Sequence, residues 1–233
     1  AKERGIPVCN VRDYGVYEVA EHAVAMALAL VRQLPQIDAR LRGGTWKITP
    51  DRPMPSLRET TFATAGFGRI ARNAHAMMRG FGGKRIAYDP FVPADIMAME
   101  GVEKVELEDL FTRADILSLH LPLTAETRHF INAARLAEMK KSAVIVNTAR
   151  GPLIDTVALA AALQAGAIGG AGIDVFEQEP LPPDHALRSA PGALLTSHVA
   201  WYSESSIPRL QRLAAEELVR GLRGGPLKNH VNK

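Results

Sequence analysis

Short apolar runs alternate with stretches of helical period along most of the 233-residue chain. Runs at 60–65, 84–88, 115–120, 143–147, 171–175 and 194–197 are bounded by Gly, Pro, Asp or Asn and read as strands. Between them the pattern predicts helices opening near Arg69 and over 94–99, 107–112, 133–139 and 156–165, the last capped by Asp155 or Thr156 and stopped by Gly166. Strands alternating with helices predict an α/β fold, a Rossmann-type doubly wound parallel sheet with helices on both faces. Ahead of this core, 6–11 reads as a short strand and 16–34 as a helix stopped by Pro35. Residues 23–31 are apolar on every side of that helix, which predicts burial in the interior or at a subunit interface. Gly43, Gly44, Trp46, Pro50, Pro53 and Pro55 mark 43–58 as a loop, an arm or a hinge. An amphipathic helix over 205–222 and an irregular tail close the chain.

The second region, 60–89, has the layout of a dinucleotide-binding β-α-β unit. Gly66 permits the turn out of the strand, Gly68 allows backbone to approach a pyrophosphate, and Ala71 takes the third small position. The helix beginning at Arg69 and Ile70 aims its N-terminus at the phosphates. Asp89, ending the next strand, suits ribose hydroxyls and repels a 2′-phosphate, which favours NAD over NADP. The ordinary alternative is a glycine-rich turn that merely packs a helix on a sheet. Thr60, Thr61 and Thr64 are unexpected where a central parallel strand is usually Val, Ile and Leu.

Composition narrows the class. A 47% hydrophobic content fits a globular protein with a real core. The net charge of +3 comes without a Lys/Arg block, so nucleic-acid binding gains no support. Cys9 is the only cysteine, so no disulfide forms within the chain and no cysteine zinc site exists; a reducing cytoplasm is the expected compartment. The longest apolar run is too short to span a membrane and no signal peptide is visible. The first residues read like the end of a helix, so further chain is expected before residue 1.

His120, Arg150, Glu179 and His198 each follow a predicted strand, and in doubly wound sheets ligands sit beyond the carboxyl ends of strands. Beside a nicotinamide, three of these could reduce a 2-keto acid without a metal ion. Arg150 offers a planar fork to the substrate carboxylate. His198 can protonate the forming alkoxide. Glu179 would stabilise and orient the imidazolium. Taken singly, Arg150 reads equally as a loop arginine in a surface ion pair, Glu179 as a solvated acid and His198 as a strand-end histidine. His22, His75, His129, His185 and His230 have no such context and read as structural or exposed.

Asn147-Thr-Ala-Arg-Gly, Asp174-Val-Phe-Glu-Gln-Glu-Pro, Ser197-His198 and His120-Leu-Pro-Leu-Thr with Thr127, downstream of Gly66-Phe-Gly-Arg-Ile, resemble the D-isomer-specific 2-hydroxyacid dehydrogenases. The resemblance implies an NAD-dependent oxidoreductase interconverting D-2-hydroxy and 2-keto acids, with Arg150 binding substrate, Glu179 partnering the histidine and His198 as acid/base. It further implies a cofactor site at Gly66, Gly68, Arg69, Ile70, Asp89, His120, Leu121, Pro122, Thr127, Thr148, Ala149, Arg150, Asp174, His198, Ala200 and Trp201. A homodimer built on the 16–34 helix is implied too. So is a domain layout in which 1–12 and 206–233 belong to a flavodoxin-like substrate domain and 13–205 to the NAD domain, with more of the substrate domain before residue 1. Within the family, Ala200-Trp-Tyr-Ser-Glu and the tail resemble the C-terminal-binding-protein and phosphoglycerate-dehydrogenase branch. That branch implies a hydrophobic or thioether substrate side chain facing Trp201, and as the alternative role an NAD(H)-binding co-repressor-like protein with weak turnover. Ala71 in place of the third glycine, and Ser197 where proline usually precedes the histidine, depart from the family pattern.

Overall fold

A computed structural model of the protein describes residues 1–232. In chain order the main elements are α1 (Val16–Val31), α2 (Leu34–Arg42), β1 (Thr61–Ala65), α3 (Arg69–Met78), β2 (Lys84–Tyr88), α4 (Ala94–Met99), β3 (Glu103–Lys104), α5 (Leu107–Arg113), β4 (Ile116–Leu119), α6 (Ala133–Glu138), β5 (Val144–Asn147), α7 (Thr156–Gln164), β6 (Gly170–Ile173), β7 (Ala193–Leu195) and α8 (Ser206–Leu222). The chain divides into two compact units: Ala20–Ala200, and Ala1–Val19 together with the stretch from Trp201.

The larger unit holds one seven-stranded sheet, ordered β3-β2-β1-β4-β5-β6-β7 and parallel throughout. This is the Rossmann-type doubly wound α/β fold the pattern predicts. Its central strands β1, β4, β5 and β6 are buried along their whole length, which suits apolar runs rather than alternation, and β2, β3 and β7 towards the edges are partly exposed. On one face, Phe62, Ile116, Val144 and Val146 pack under α1 and α3; on the other, Leu117, Leu119, Ile145 and Ile173 pack under α5, α6 and α7. Strand order reverses between β1 and β4, and a doubly wound sheet opens its ligand crevice there.

The threonines of β1 have specific partners. Thr60 Oγ1 donates to the Leu57 carbonyl at 2.8 Å, the Thr61 N–H donates to Asp115 Oδ2 at 2.8 Å, and Thr64 Oγ1 lies 3.0 Å from His75 Nε2. The hydroxyls of Thr60 and Thr64 make bonds that no aliphatic side chain could, whereas the Thr61 bond is through its backbone N–H and nothing in the structure calls for a threonine there.

Three expectations need correcting. The first helix ends at Val31, and Gln33 turns the chain in the left-handed region (φ 53°). Pro35 does not stop a helix; it sits in the first turn of α2, where its missing N–H costs nothing, and α2 ends at Arg42, just ahead of the 43–58 stretch. Residues 6–11 form no strand. An isolated antiparallel bridge, Cys9 with His230, is all the pairing there, supported by Asn232, whose side chain bonds Val8 N and Ile6 O. A short apolar run without a neighbouring strand cannot build a ladder. The sheet also gains a seventh strand that no apolar run announces, β3 at Glu103–Lys104. In the single chain α1 is covered at Ala20, Ala23, Val24, Met26, Ala27, Leu30 and Val31 and open at Ala25, as either interior or interface burial of the helix allows.

In the terminal unit, α8 is tied to the start of α1. Arg209 Nη1 meets Glu18 Oε1 at 3.1 Å, and Ser203 Oγ donates to the same oxygen at 2.9 Å. Trp201 packs edge-on against Tyr14 and Tyr202, with ring centroids 6.0 and 5.9 Å apart.

Candidate active site

The loops leaving β5, β6 and β7 rise side by side from one edge of the sheet and are locked by their own side chains. At the end of β5, Asn147 is fully buried. Its Oδ1 accepts the Ala149 N–H at 3.0 Å and its Nδ2 donates to the Arg150 carbonyl at 2.9 Å, fixing the turn that carries Arg150 into solvent. The Arg150 guanidinium donates to the Ala149 carbonyl at 2.6 Å. The next residue must be glycine: a Cβ on Gly151 would lie 1.9 Å from the Phe176 carbonyl carbon and oxygen. The Arg150 turn is thereby pressed against the β6 loop.

In that loop Glu179 bridges backbone and histidine. Oε1 accepts the Phe176 N–H at 2.9 Å, and Oε2 lies 2.7 Å from His198 Nδ1. Burial pushes the Glu179 carboxyl up, but the bonds from His198 and Phe176 outweigh it and hold the group below its usual range. The carboxylate is then ionised and can only accept, so His198 Nδ1 carries the proton and the ring is oriented with Nε2 on its far side from Glu179. His198 itself sits in the left-handed region (φ 57°). Its N–H donates to the Asp174 carbonyl at 2.8 Å.

Asp174 is completely buried. Its carboxylate accepts from Thr196 Oγ1 and from the N–H groups of Val199 (2.9 Å) and Ala200 (3.0 Å). It therefore shapes the 196–200 loop from beneath, and His22 on α1 adds a bond to Thr196 Oγ1 at 3.0 Å. A cavity of about 670 Å³ opens beside Glu179 and His198, bounded by Phe176, Leu181, Arg188 and Leu195.

The glycine loop lies at the β1–β4 reversal. Gly66 adopts φ 93°, and a Cβ there would come 2.8 Å from the His120 carbonyl oxygen. Around Gly68 a Cβ would meet nothing within 4 Å, and no side chain caps the start of α3. Asp89 Oδ2 accepts the Phe67 N–H at 2.8 Å and Oδ1 the Phe91 N–H at 2.9 Å. Each oxygen keeps a second lone pair, so Asp89 shapes the loop and can still accept from a ribose. On the next strand, burial lowers His120 to a pKa of about 4, so it is neutral, with Ser118 Oγ at 3.0 Å from Nε2. Leu121 is half-buried; Thr127 Oγ1 donates to the Pro122 carbonyl at 2.7 Å and closes the 121–127 turn. Thr148 Oγ1 is buried with no partner.

These features fit a dinucleotide: open space over Gly68, an uncapped helix start, and a buried hydroxyl in the adjoining loop awaiting an acceptor or donor. The structure brings the candidates from Gly66 through Ala200 into the sheet unit, on its strand ends and the loops and helix start that follow them. Trp201 falls in the other unit.

The D-isomer specific 2-hydroxyacid dehydrogenase NAD-binding domain model matches residues 24–200. The chain belongs to that family. The enzyme is 38% identical over its whole length to a glyoxylate reductase of Thermofilum pendens, covering 70% of it. It is 39% identical to a D-3-phosphoglycerate dehydrogenase of Methanocaldococcus jannaschii, covering all of this chain and 44% of that one. The D-lactate dehydrogenase of Lactobacillus jensenii, solved with NAD+, superposes with a TM-score of 0.90 at 26% identity, over all of this chain and 74% of its own. The enzyme is an oxidoreductase and its cofactor is NAD.

The structure also gives partners to histidines that had no context in the sequence. His75 is buried against Phe62 and Phe67 and lowered to about 3 by burial and the nearby Arg85 and His120 charges. His129 Nε2 pairs with Glu177 Oε1 at 2.7 Å. In the sequence Glu177 stands inside the Asp174-Val-Phe-Glu-Gln-Glu-Pro motif, but nothing there gives it a partner.

Proposed function

We propose that this enzyme interconverts a small 2-keto acid and the D-2-hydroxy acid, with Arg150, Glu179 and His198 as its working side chains. The observation that carries this reading is the 2.7 Å Glu179–His198 bridge, held in a loop that Gly151 presses against the Arg150 turn. Arg150, in solvent and bonded to its own turn, is available to hold a carboxylate bidentately and polarise the neighbouring carbonyl. His198 delivers a proton from Nε2 as negative charge grows on the carbonyl oxygen, and Glu179 supports the positive ring and keeps Nδ1 occupied. Reduced NAD supplies the hydride. In the oxidative direction neutral His198 takes the hydroxyl proton. The glyoxylate reductase and lactate dehydrogenase names of the relatives support short 2-keto acids as substrates.

Two further parts of the reading concern state and place. The enzyme is a homodimer through α1, which in one chain leaves Ala25 exposed beside half-buried Leu28 and Ala29, with Glu21 one turn before them. It works in the cytoplasm, without nucleic-acid or membrane partners. Single-cysteine composition supports this, and among the described residues no helix is long and apolar enough to cross a membrane.

The deciding experiment follows NADH absorbance with glyoxylate, hydroxypyruvate and pyruvate, with His198→Ala as control. Turnover that falls by about a hundredfold or more in the variant supports the reading. Tight NADH binding with no turnover on any keto acid would replace it with a binding role.

A further inference from the structure

Glu177 has no part in the chemistry above, yet its carboxylate joins three segments of the site. Oε1 accepts from His129 Nε2 at 2.7 Å and lies 3.7 Å from Arg128 Nη2. Oε2 accepts from Thr156 Oγ1 at 2.7 Å and from the Thr156 N–H at 3.2 Å. His129 directly follows the 121–127 turn, Thr156 starts the helix beyond Arg150 and Gly151, and Glu177 adjoins Phe176, whose N–H holds Glu179. The carboxylate is only 26% exposed. Its bonds from Thr156 and His129 outweigh burial and keep it ionised.

A surface ion pair would need none of this convergence. His129 is also held at φ 50°, in the left-handed region that a bulky side chain avoids, and its N–H is tied to the Pro152 carbonyl at 2.8 Å. Such a conformation persists where the surroundings over-determine it, and it gathers at functional sites.

We propose that Glu177 is a positioning residue: through His129 and Thr156 it fixes the Glu179 loop against both the cofactor turn and the Arg150 loop, so that Glu179 meets His198 in one geometry. Its catalytic meaning rests on the function proposed above. Its geometric content does not.

The test uses the full gene product with Glu177→Ala, Glu177→Gln and His129→Ala. Three quantities are read: steady-state constants with NADH and glyoxylate, the melting temperature, and the low-field proton signal of His198 Nδ1–H, assigned by its loss in His198→Ala. Glu177→Ala should lower kcat about tenfold to a hundredfold while the KM for glyoxylate stays within about twofold, since a small misplacement of an oriented group costs that much. The low-field signal should broaden or vanish. Glu177→Gln should recover most of kcat, because its amide oxygen can accept both Thr156 bonds and its NH2 can donate to the other His129 tautomer. His129→Ala should raise the KM for NADH by freeing the turn. An unmoved low-field signal in Glu177→Ala overturns the proposal, whether or not the melting temperature drops. If the unmodified protein reduces no keto acid, the function reading fails by itself, and the His198 signal still decides the role of Glu177.

Discussion

His75 shows what a buried titratable side chain does to a fold. Its ring is closed in by Phe62, Phe67 and Thr64, and its pKa is about 3 against 6.5 for a free histidine. The unfolded chain therefore binds a proton that the folded chain refuses. The stability this site withholds from acid is intact above pH 6.5 and is lost as pH falls from there towards 3, at up to about 1.4 kcal/mol per pH unit. His75→Gln, which can keep the bond to Thr64, should flatten that slope in urea titrations between pH 7 and 5. A variant with an unchanged slope would place the acid sensitivity elsewhere. Glu179 has a depressed pKa, so its contribution is present above the ordinary carboxylate range and is lost only at lower pH, through its own lowered value. The two contributions separate along the pH axis. At the nucleotide end, Asp89→Ser should narrow the preference for NADH over NADPH and also cost about 1 kcal/mol through the lost bond to the Phe67 N–H. Fluorescence titration with both coenzymes and a thermal melt read the two effects independently.

Among the elements, the short strands with their following loops carry the site and the helices serve as backing. The centre of the sheet was legible in the sequence because β4, β5 and β6 are short, largely apolar runs buried on both faces, whereas the two-residue edge strand β3, Glu103–Lys104, carries no such signal. Arg150, Glu179 and His198 were legible because their chemistry is rare in combination and each follows a strand. In the structure each lies in the loop after a core strand, and Glu179 and His198 are 2.7 Å apart. What stayed hidden is how the loops are held. Asp174 and Glu177 act on backbone groups of residues brought near by topology, and no periodicity records such bonds; Asn147 acts locally, on the turn two and three residues ahead of it. The false strand over 6–11 and the false stop at Pro35 have the opposite cause. Local signals were present, but tertiary partners were absent in the first case, and in the second a new helix started there. Asp174→Ala should leave two backbone N–H groups and a hydroxyl without their acceptor. A loss of about 2–5 kcal/mol is expected, visible as a lower melting temperature even with NADH bound.

For the whole molecule the open question is association. Helix α1 covers the sheet with one side and leaves Ala25 uncovered beside half-buried Leu28 and Ala29. A helix this apolar gains by pairing that side with a second copy. Light scattering at micromolar concentration should give twice the chain mass, and Ala25→Arg should shift the equilibrium towards the single chain while leaving its fold intact. A monomer at those concentrations before any substitution would remove α1 from consideration as an interface.

The contact at Gly151 reaches beyond this reaction. Because no side chain fits between that residue and the Phe176 carbonyl, the Arg150 and Glu179 loops cannot drift independently. On the roles proposed above, the spacing between charge recognition and the Glu179 partner of His198 is then limited by this backbone contact together with the Glu177 links. Changes of substrate size must be absorbed elsewhere, and an engineer moving this chemistry to a related scaffold would have to transplant both loops as a single cassette.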